Sequence, residues 1–267
     1  MLKNYEFWSL GFALVSALIG FGLFCLKTFL PQKNNQINSI SQIIIFSLIS
    51  FGLLISLVLR GIILERFPCS NLYESLLIFS LSVGLISLFF ISKNKWYFLD
   101  WSSCLLIIAV LAYALWLPSS QKEAIPLIPA LNSYWRSIHV PALLISYAFF
   151  MVAGFIAALY LFKPSEFYSE AIYKCIAFGF PLLTFGIVTG ALWANHAWGN
   201  LWQWDPKENL ALMTWFCYAA YLHFKVSGKA SPKTLAWLSL LGIIAIYMTY
   251  LGINQFDLGG LHTYGRI

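Results

Sequence analysis

The chain has 267 residues, of which 60% are hydrophobic and only 10% charged, and its mean hydropathy is +0.78. A soluble domain of this length carries about a quarter charged residues, so the composition excludes a soluble globular protein and describes a polytopic membrane protein. The formal net charge of +6 is no pointer to nucleic acid, because membrane proteins carry basic residues for orientation.

Taken in order, and at about 20 apolar residues per crossing, the chain offers eight spans: 7–28, 41–62, 72–92, 97–117, 139–162, 172–194, 206–226 and 234–254. The first run begins at Phe7 and lacks a small-residue cleavage pattern, which predicts a retained helix rather than a signal peptide. Connections are short except for 118–138, where Pro118, Pro126 and Pro129 predict a surface segment. No internal repeat or second domain is visible. The expected fold is all-α: a polytopic membrane helix bundle of about eight transmembrane helices, residues 1–267 forming one integral membrane domain with an external tryptophan-rich loop. Five cysteines (Cys25, Cys69, Cys104, Cys175, Cys217) form no CxxC or CxxCH, which excludes a thioredoxin-like dithiol and a c-type cytochrome. Most of them read as small apolar fillers in helices.

The stretch 193–208 reads WANHAWGNLWQWDPKE, with Trp193, Trp198, Trp202 and Trp204 inside twelve residues. Its end is a helix start: Asp205 suits an N-cap, Pro206 the first helical position, and Glu208 the carboxylate of a capping box. Gly199 and Asn200 predict a loop ahead of it. An interfacial aromatic belt explains one or two indoles per helix end, not this string. Four indoles so close form a flat apolar shelf for a large planar ligand, with N–H groups available as donors.

Basic residues set the orientation. With the N-terminus and the tryptophans on one face, the other face holds nine: Lys27, Lys33, Lys93, Lys95, Lys163, Lys174, Lys225, Lys229 and Lys233. The tryptophan face holds seven (Lys3, Arg60, Arg66, Lys122, Arg136, Lys207, Arg266), offset by the seven acids Glu6, Glu65, Glu74, Glu123, Asp205, Glu208 and Asp257. The lysine-rich face is therefore read as cytoplasmic or stromal and the tryptophan stretch as periplasmic or lumenal. All four arginines lie on the face that the positive-inside rule disfavours, which suggests a task. Arg60 and Arg66 could meet carboxylate groups on such a planar ligand, or snorkel or pair with Glu65 and Glu74.

WGNLWQWDPKENLALMTW (198–215) resembles the tryptophan-rich WWD signature of haem-handling proteins in cytochrome c maturation. PCSNLYESL (68–76) and HTYG (262–265) narrow the resemblance to the CcsA branch, System II, from about residue 60 to the C-terminus. That core (60–267) is expected to deliver and attach haem; the first 60 residues carry no motif.

The four histidines divide accordingly. By position, His139 opens the fifth span and His262 follows the eighth, both on the tryptophan face. Two neutral imidazoles can fill the axial positions of haem iron, and the resemblance implies that this pair holds an external haem. His223 lies 15 residues beyond Glu208, about 22 Å along a helix, at a depth where a histidine is a functional candidate. A hydrogen bond to a neighbouring helix, or an interfacial place beside Lys225, is the plainer alternative. The resemblance implies that His223 ligates a second, intramembrane haem, with the other ligand supplied by a CcsB-type membrane protein. His196 is read as a peripheral polar residue.

The implied function is delivery of haem b, as a transported substrate, to the CxxCH thiols of apocytochromes c. His139, His262 and His223 would bind iron; Trp193, Trp198, Trp202, Trp204, Asp205 and Arg136 would bind the rest of the haem. No side chain reads as a nucleophile, so no catalytic residue is assigned, and an enzymatic role as a lyase component stays open. A thylakoid membrane is the expected location, with a bacterial plasma membrane as the alternative. Rival readings are a System I handler of the CcmC or CcmF kind, a membrane haem electron-transfer enzyme, and a structural assembly subunit. The first lacks the PCSNLYESL and HTYG stretches, the second places histidine pairs within one bundle, and the third needs no aligned tryptophans and histidines.

Overall fold

The computed structural model describes residues 1–29, 35–94, 96, 99–123, 127 and 132–253, and every regular element among them is helical. The protein is a polytopic helical membrane bundle. It divides into two compact units, Met1–Ile125 and Pro126–Ile267, and the division falls inside the proline-bearing connection.

The first unit contains α1 (Leu2–Phe29), α2 (Asn35–Leu64), α3 (Leu72–Asn94), α4 (Asp100–Trp116) and the single turn α5 (Ser119–Lys122). Each long helix packs on the next and α4 returns to α1, closing a four-helix ring. Leu10, Ala13, Ala17 and Phe24 line the buried stripe of α1 at helical spacing, while Phe7, Trp8, Phe12, Ile19 and Leu23 stand outward. In a membrane that outer face meets lipid, so its apolar exposure needs no covering partner. The interior is not wholly apolar: Ser87 donates to Ser103 at 2.7 Å, linking α3 to α4, and Gln42 donates to Asp100 at 2.8 Å, linking α2 to α4. Hydrogen bonds between helices of this kind hold membrane bundles together where apolar burial gives little preference over lipid.

One end of this unit is tied by charge. Arg60, at the end of α2, lies 3.5 Å from Glu6 on α1 and 3.4 Å from Glu74 on α3, and it also donates to the Lys122 carbonyl of α5. Arg66 lies 3.4 Å from Glu74 and donates to Ser70. Glu74 is fully buried and accepts the Ser70 N–H at 2.7 Å. Tyr73 donates to Glu6 at 3.4 Å and carries the Arg60 guanidinium over its ring. Of the readings open to Arg60 and Arg66, the structure therefore shows pairing. The partners are Glu74 and Glu6; Glu65, offered by the sequence as a partner, makes no ion pair among the described residues and turns the chain at φ +52.

The second unit contains α6 (Tyr134–Phe162), α7 (Glu166–Trp198), α8 (Pro206–Ser227) and α9 (Pro232–Tyr247), continued by a π-helical turn, Met248–Gly252. The same adjacency recurs, α6 to α7 to α8 to α9 and back to α6. Tyr218 of α8 is fully buried and stacks on Phe150 of α6, with centroids 3.6 Å apart. Trp215 of α8 donates its indole N–H to Thr184 of α7 at 2.9 Å.

Each of the eight expected spans holds a helix among its described residues. Six are long and apolar enough to cross a membrane: α1, α2, α3, α6, α7 and α9 with its π turn. With 17 residues, α4 is shorter, at the lower limit for a crossing. Length is sufficient in α8, but its tyrosines, His223 and Lys225 dilute the apolar run. Boundaries moved where polar residues continue a helix. Thus α6 begins at Tyr134, capped by the Ser133 hydroxyl, so His139 sits inside its second turn instead of opening it. Likewise α7 begins at Glu166, capped by Ser165, six residues before the apolar run.

Candidate functional site

The tryptophan stretch is half helix and half loop. Trp193 and Trp198 belong to the last turns of α7, which stops at Gly199 with φ +79. A left-handed residue ends a helix by turning the next N–H groups back on its carbonyls, and glycine takes that conformation without a Cβ clash. Here the Gly199 N–H donates to the Asn195 carbonyl at 2.9 Å. Trp202 and Trp204 lie in the seven-residue connection to α8. The helix start expected at Asp205 is present: its carboxylate accepts the Lys207 N–H at 2.8 Å, Glu208 accepts the Asp205 N–H at 3.2 Å, and Pro206 fills the first position. Asp205 is buried and engaged in capping.

His139 meets this stretch. Its ring lies 5.8 Å from that of Trp193, which is buried, and Trp193 lies 5.4 Å from Trp198. Nδ1 of His139 is 2.7 Å from the carbonyl oxygen of Gly186 on α7. A carbonyl only accepts, so Nδ1 carries the proton and the lone pair of the neutral ring resides on Nε2. Histidine ligands are oriented in this way, through the nitrogen that does not bind the metal. The imidazole lies over Gly190: a Cβ there would stand 2.5 Å from His139 Cε1 and 2.6 Å from Nδ1. Gly186 and Gly190 form the spacing Gly-x-x-x-Gly, which lets helices approach closely. That spacing was legible in FGIVTGALW, and it is the signal by which the seat of His139 could have been found from sequence.

The remaining candidates are placed as follows. Arg136 is buried one turn before His139 on α6. Trp202 is half-buried and meets Trp204 edge-on, centroids 6.0 Å apart, and Trp204 is 69% exposed. His196 is exposed on α7. His223 is exposed near the end of α8, beside Lys225, whose ammonium lies 3.0 Å from Glu170 of α7. Because α8 starts at the tryptophan loop, His223 lies about 26 Å down the helix from that end. His139, Trp193 and Trp198 are thus brought together and His223 is kept apart. His262 lies outside the described residues.

A family model described as cytochrome c assembly protein matches residues 69–261, which include both the His139 seat and the tryptophan stretch. Its relatives agree: CcsA of Guillardia theta is 34% identical over 232 residues, covering 74% of this chain and 77% of that protein. The chain belongs to the CcsA family. CcsA of Porphyra purpurea is 34% identical (82% of this chain, 85% of that protein), and CcsA of Prochlorococcus marinus is 32% identical (96% and 92%). Among solved structures, the cytochrome c haem lyase CcmF matches with a TM-score of 0.70 at 17% identity. That match covers 94% of this CcsA-family chain but 46% of CcmF, so the chain spans less than half of it, and the likeness is one of fold.

Proposed function

We propose that this CcsA-family chain acts in c-type cytochrome biogenesis by holding haem b as a transported substrate and presenting it to the CxxCH thiols of apocytochromes c. The observation that carries the reading is His139. Its Nδ1–H is committed to the Gly186 carbonyl, Nε2 bears the lone pair that an iron would take, and Trp193 packs against the ring. This is the donor chemistry of an axial haem ligand beside an apolar aromatic wall. His262 is the proposed second axial ligand, Trp198, Trp202 and Trp204 the wall, and Arg136 a partner for a propionate. Asp205 acts by capping α8, which fixes where the loop ends.

The protein's part is positioning. Attachment adds each thiol S–H across a vinyl group: a C–S bond forms, the vinyl double bond is lost, and the proton goes to the other vinyl carbon. Holding haem and peptide together removes the cost of their encounter, and no nucleophilic side chain of this chain is required. His223, at the far end of α8, is proposed to ligate haem within the membrane together with a CcsB-type partner, before transfer to the outer site. The tryptophan face is read as lumenal and the membrane as thylakoid, which suits relatives in Porphyra purpurea and Prochlorococcus marinus.

The test is the haem content and absorption spectrum of the protein co-purified with a CcsB-type partner. His139→Ala and His262→Ala should each lose the low-spin spectrum and cytochrome maturation while still inserting, and added imidazole should restore part of both. Normal maturation by both variants without imidazole sinks the assignment.

A further inference from the structure

Trp204 has a φ of +57, and among the described residues only Glu65 is another non-glycine residue with positive φ. A left-handed conformation disfavours a bulky L-residue about ten-fold or more. Such outliers persist where their surroundings over-determine them, and they cluster at ligand clamps. The indole's own packing gives little in return, because it is 69% exposed and meets Trp202 edge-on. The holding force is in the backbone. The Gln203 N–H donates to Glu208 Oε2 at 2.8 Å, the Asp205 N–H donates to the same oxygen at 3.2 Å, and Asn209 Nδ2 donates to the Trp204 carbonyl at 2.9 Å. The peptide that follows Trp204 is therefore held through both its C=O and its N–H, and the peptide that precedes Gln203 is held through its N–H, all from the first turn of α8. Of the bonds to Glu208, the capping box uses only the one from the Asp205 N–H. The bonds from Gln203 and Asn209 lie outside the capping box and tie the first turn to the residues ahead of it.

We infer that Glu208 and Asn209 are positioning residues that hold Trp204 left-handed, so that its indole stands out as a preformed contact for the tetrapyrrole plane. This rests on the reading of the tryptophan stretch as a haem site. The gain is preorganisation: a released loop populates the competent conformer about ten-fold less, and the apparent affinity falls by the same fraction, equivalent to about 1.4 kcal/mol.

The test titrates the purified full chain in detergent with hemin and follows thermal unfolding of each variant. Trp204→Gly removes the indole and accepts positive φ, so hemin should bind about ten-fold more weakly while the melting temperature does not fall. Asn209→Ala keeps the indole and releases the backbone, so hemin should weaken by about three- to ten-fold. Asn209→Asp, which cannot donate, should match it. Adding Asn209→Ala to Trp204→Gly should cost nothing more. Glu208→Ala also removes the helix cap, so Asn209 carries the test. Wild-type binding by Asn209→Ala, or losses that add fully in the double variant, overturn the clamp and leave the haem platform standing. Wild-type binding by Trp204→Gly overturns the haem reading of Trp204, and the clamp's purpose with it.

Discussion

Replacing Gly190 with alanine probes the seat of His139 directly. The new Cβ would stand 2.5 Å from Cε1 and 2.6 Å from Nδ1, where ordinary contact begins at about 3.4 Å. The ring must therefore withdraw by about 0.9 Å, since the clashing atom is the rigid imidazole itself. Withdrawal along the hydrogen bond lengthens the Nδ1···O distance from 2.7 Å to about 3.6 Å, beyond hydrogen-bond range. Losing such a bond costs about 1–3 kcal/mol, and the tautomer is no longer held with its lone pair on Nε2. Loss of an orienting partner typically lowers metal affinity by about 10–100-fold, and that is the expected weakening of hemin binding, with loss of the low-spin spectrum. Gly22→Ala is the control, because a Cβ at Gly22 meets nothing within 4 Å. If Gly190→Ala binds hemin with wild-type affinity and spectrum, His139 is not held as described or does not ligate.

The other predictions address the frame and the orientation. Arg60→Ala and Glu74→Gln should each destabilise the fold by about 3–5 kcal/mol, because each strands a buried partner; thermal unfolding in detergent measures this. The double variant should cost less than the sum of the two, and full additivity counts against the network. Gly199→Ala should lower stability by about 1 kcal/mol, since alanine must adopt φ +79; an unchanged melting temperature would show that the α7 terminus relaxes at no cost. A cysteine placed at Asn200 should react with an impermeant thiol reagent from the lumenal or periplasmic side. Reaction only from the lysine-rich side reverses the topology.

What could be read from the sequence was local. The start of α8 was legible because N-cap, Pro206 and Glu208 lie within four residues and act on one another through the backbone. The stop at Gly199 was legible for the same reason. Helix starts were less so: hydropathy places α6 at 139 and α7 at 172, but Ser133 and Ser165 begin those helices in polar sequence, where capping decides and apolar character does not. Long-range partners were legible only by guess. Glu6 lies 54 positions from Arg60, and nothing near either residue announces the pair. Trp204's left-handed backbone has no sequence signal, since a bulky aromatic is the residue least expected there; it exists because of where Glu208 and Asn209 reach.

The partners of Arg60 also bear on how the protein is made. Glu6 precedes it in the chain, and Glu74 and the Lys122 carbonyl follow it, so the whole set is complete by residue 122, before the second unit begins. An arginine entering lipid alone is expensive. When α2 emerges from the ribosome, Glu6 is already in the membrane to meet Arg60, and α3 brings the second carboxylate within a few seconds of synthesis at about 5–20 residues per second. The first unit can thus neutralise Arg60 while the helices of the second unit are still untranslated.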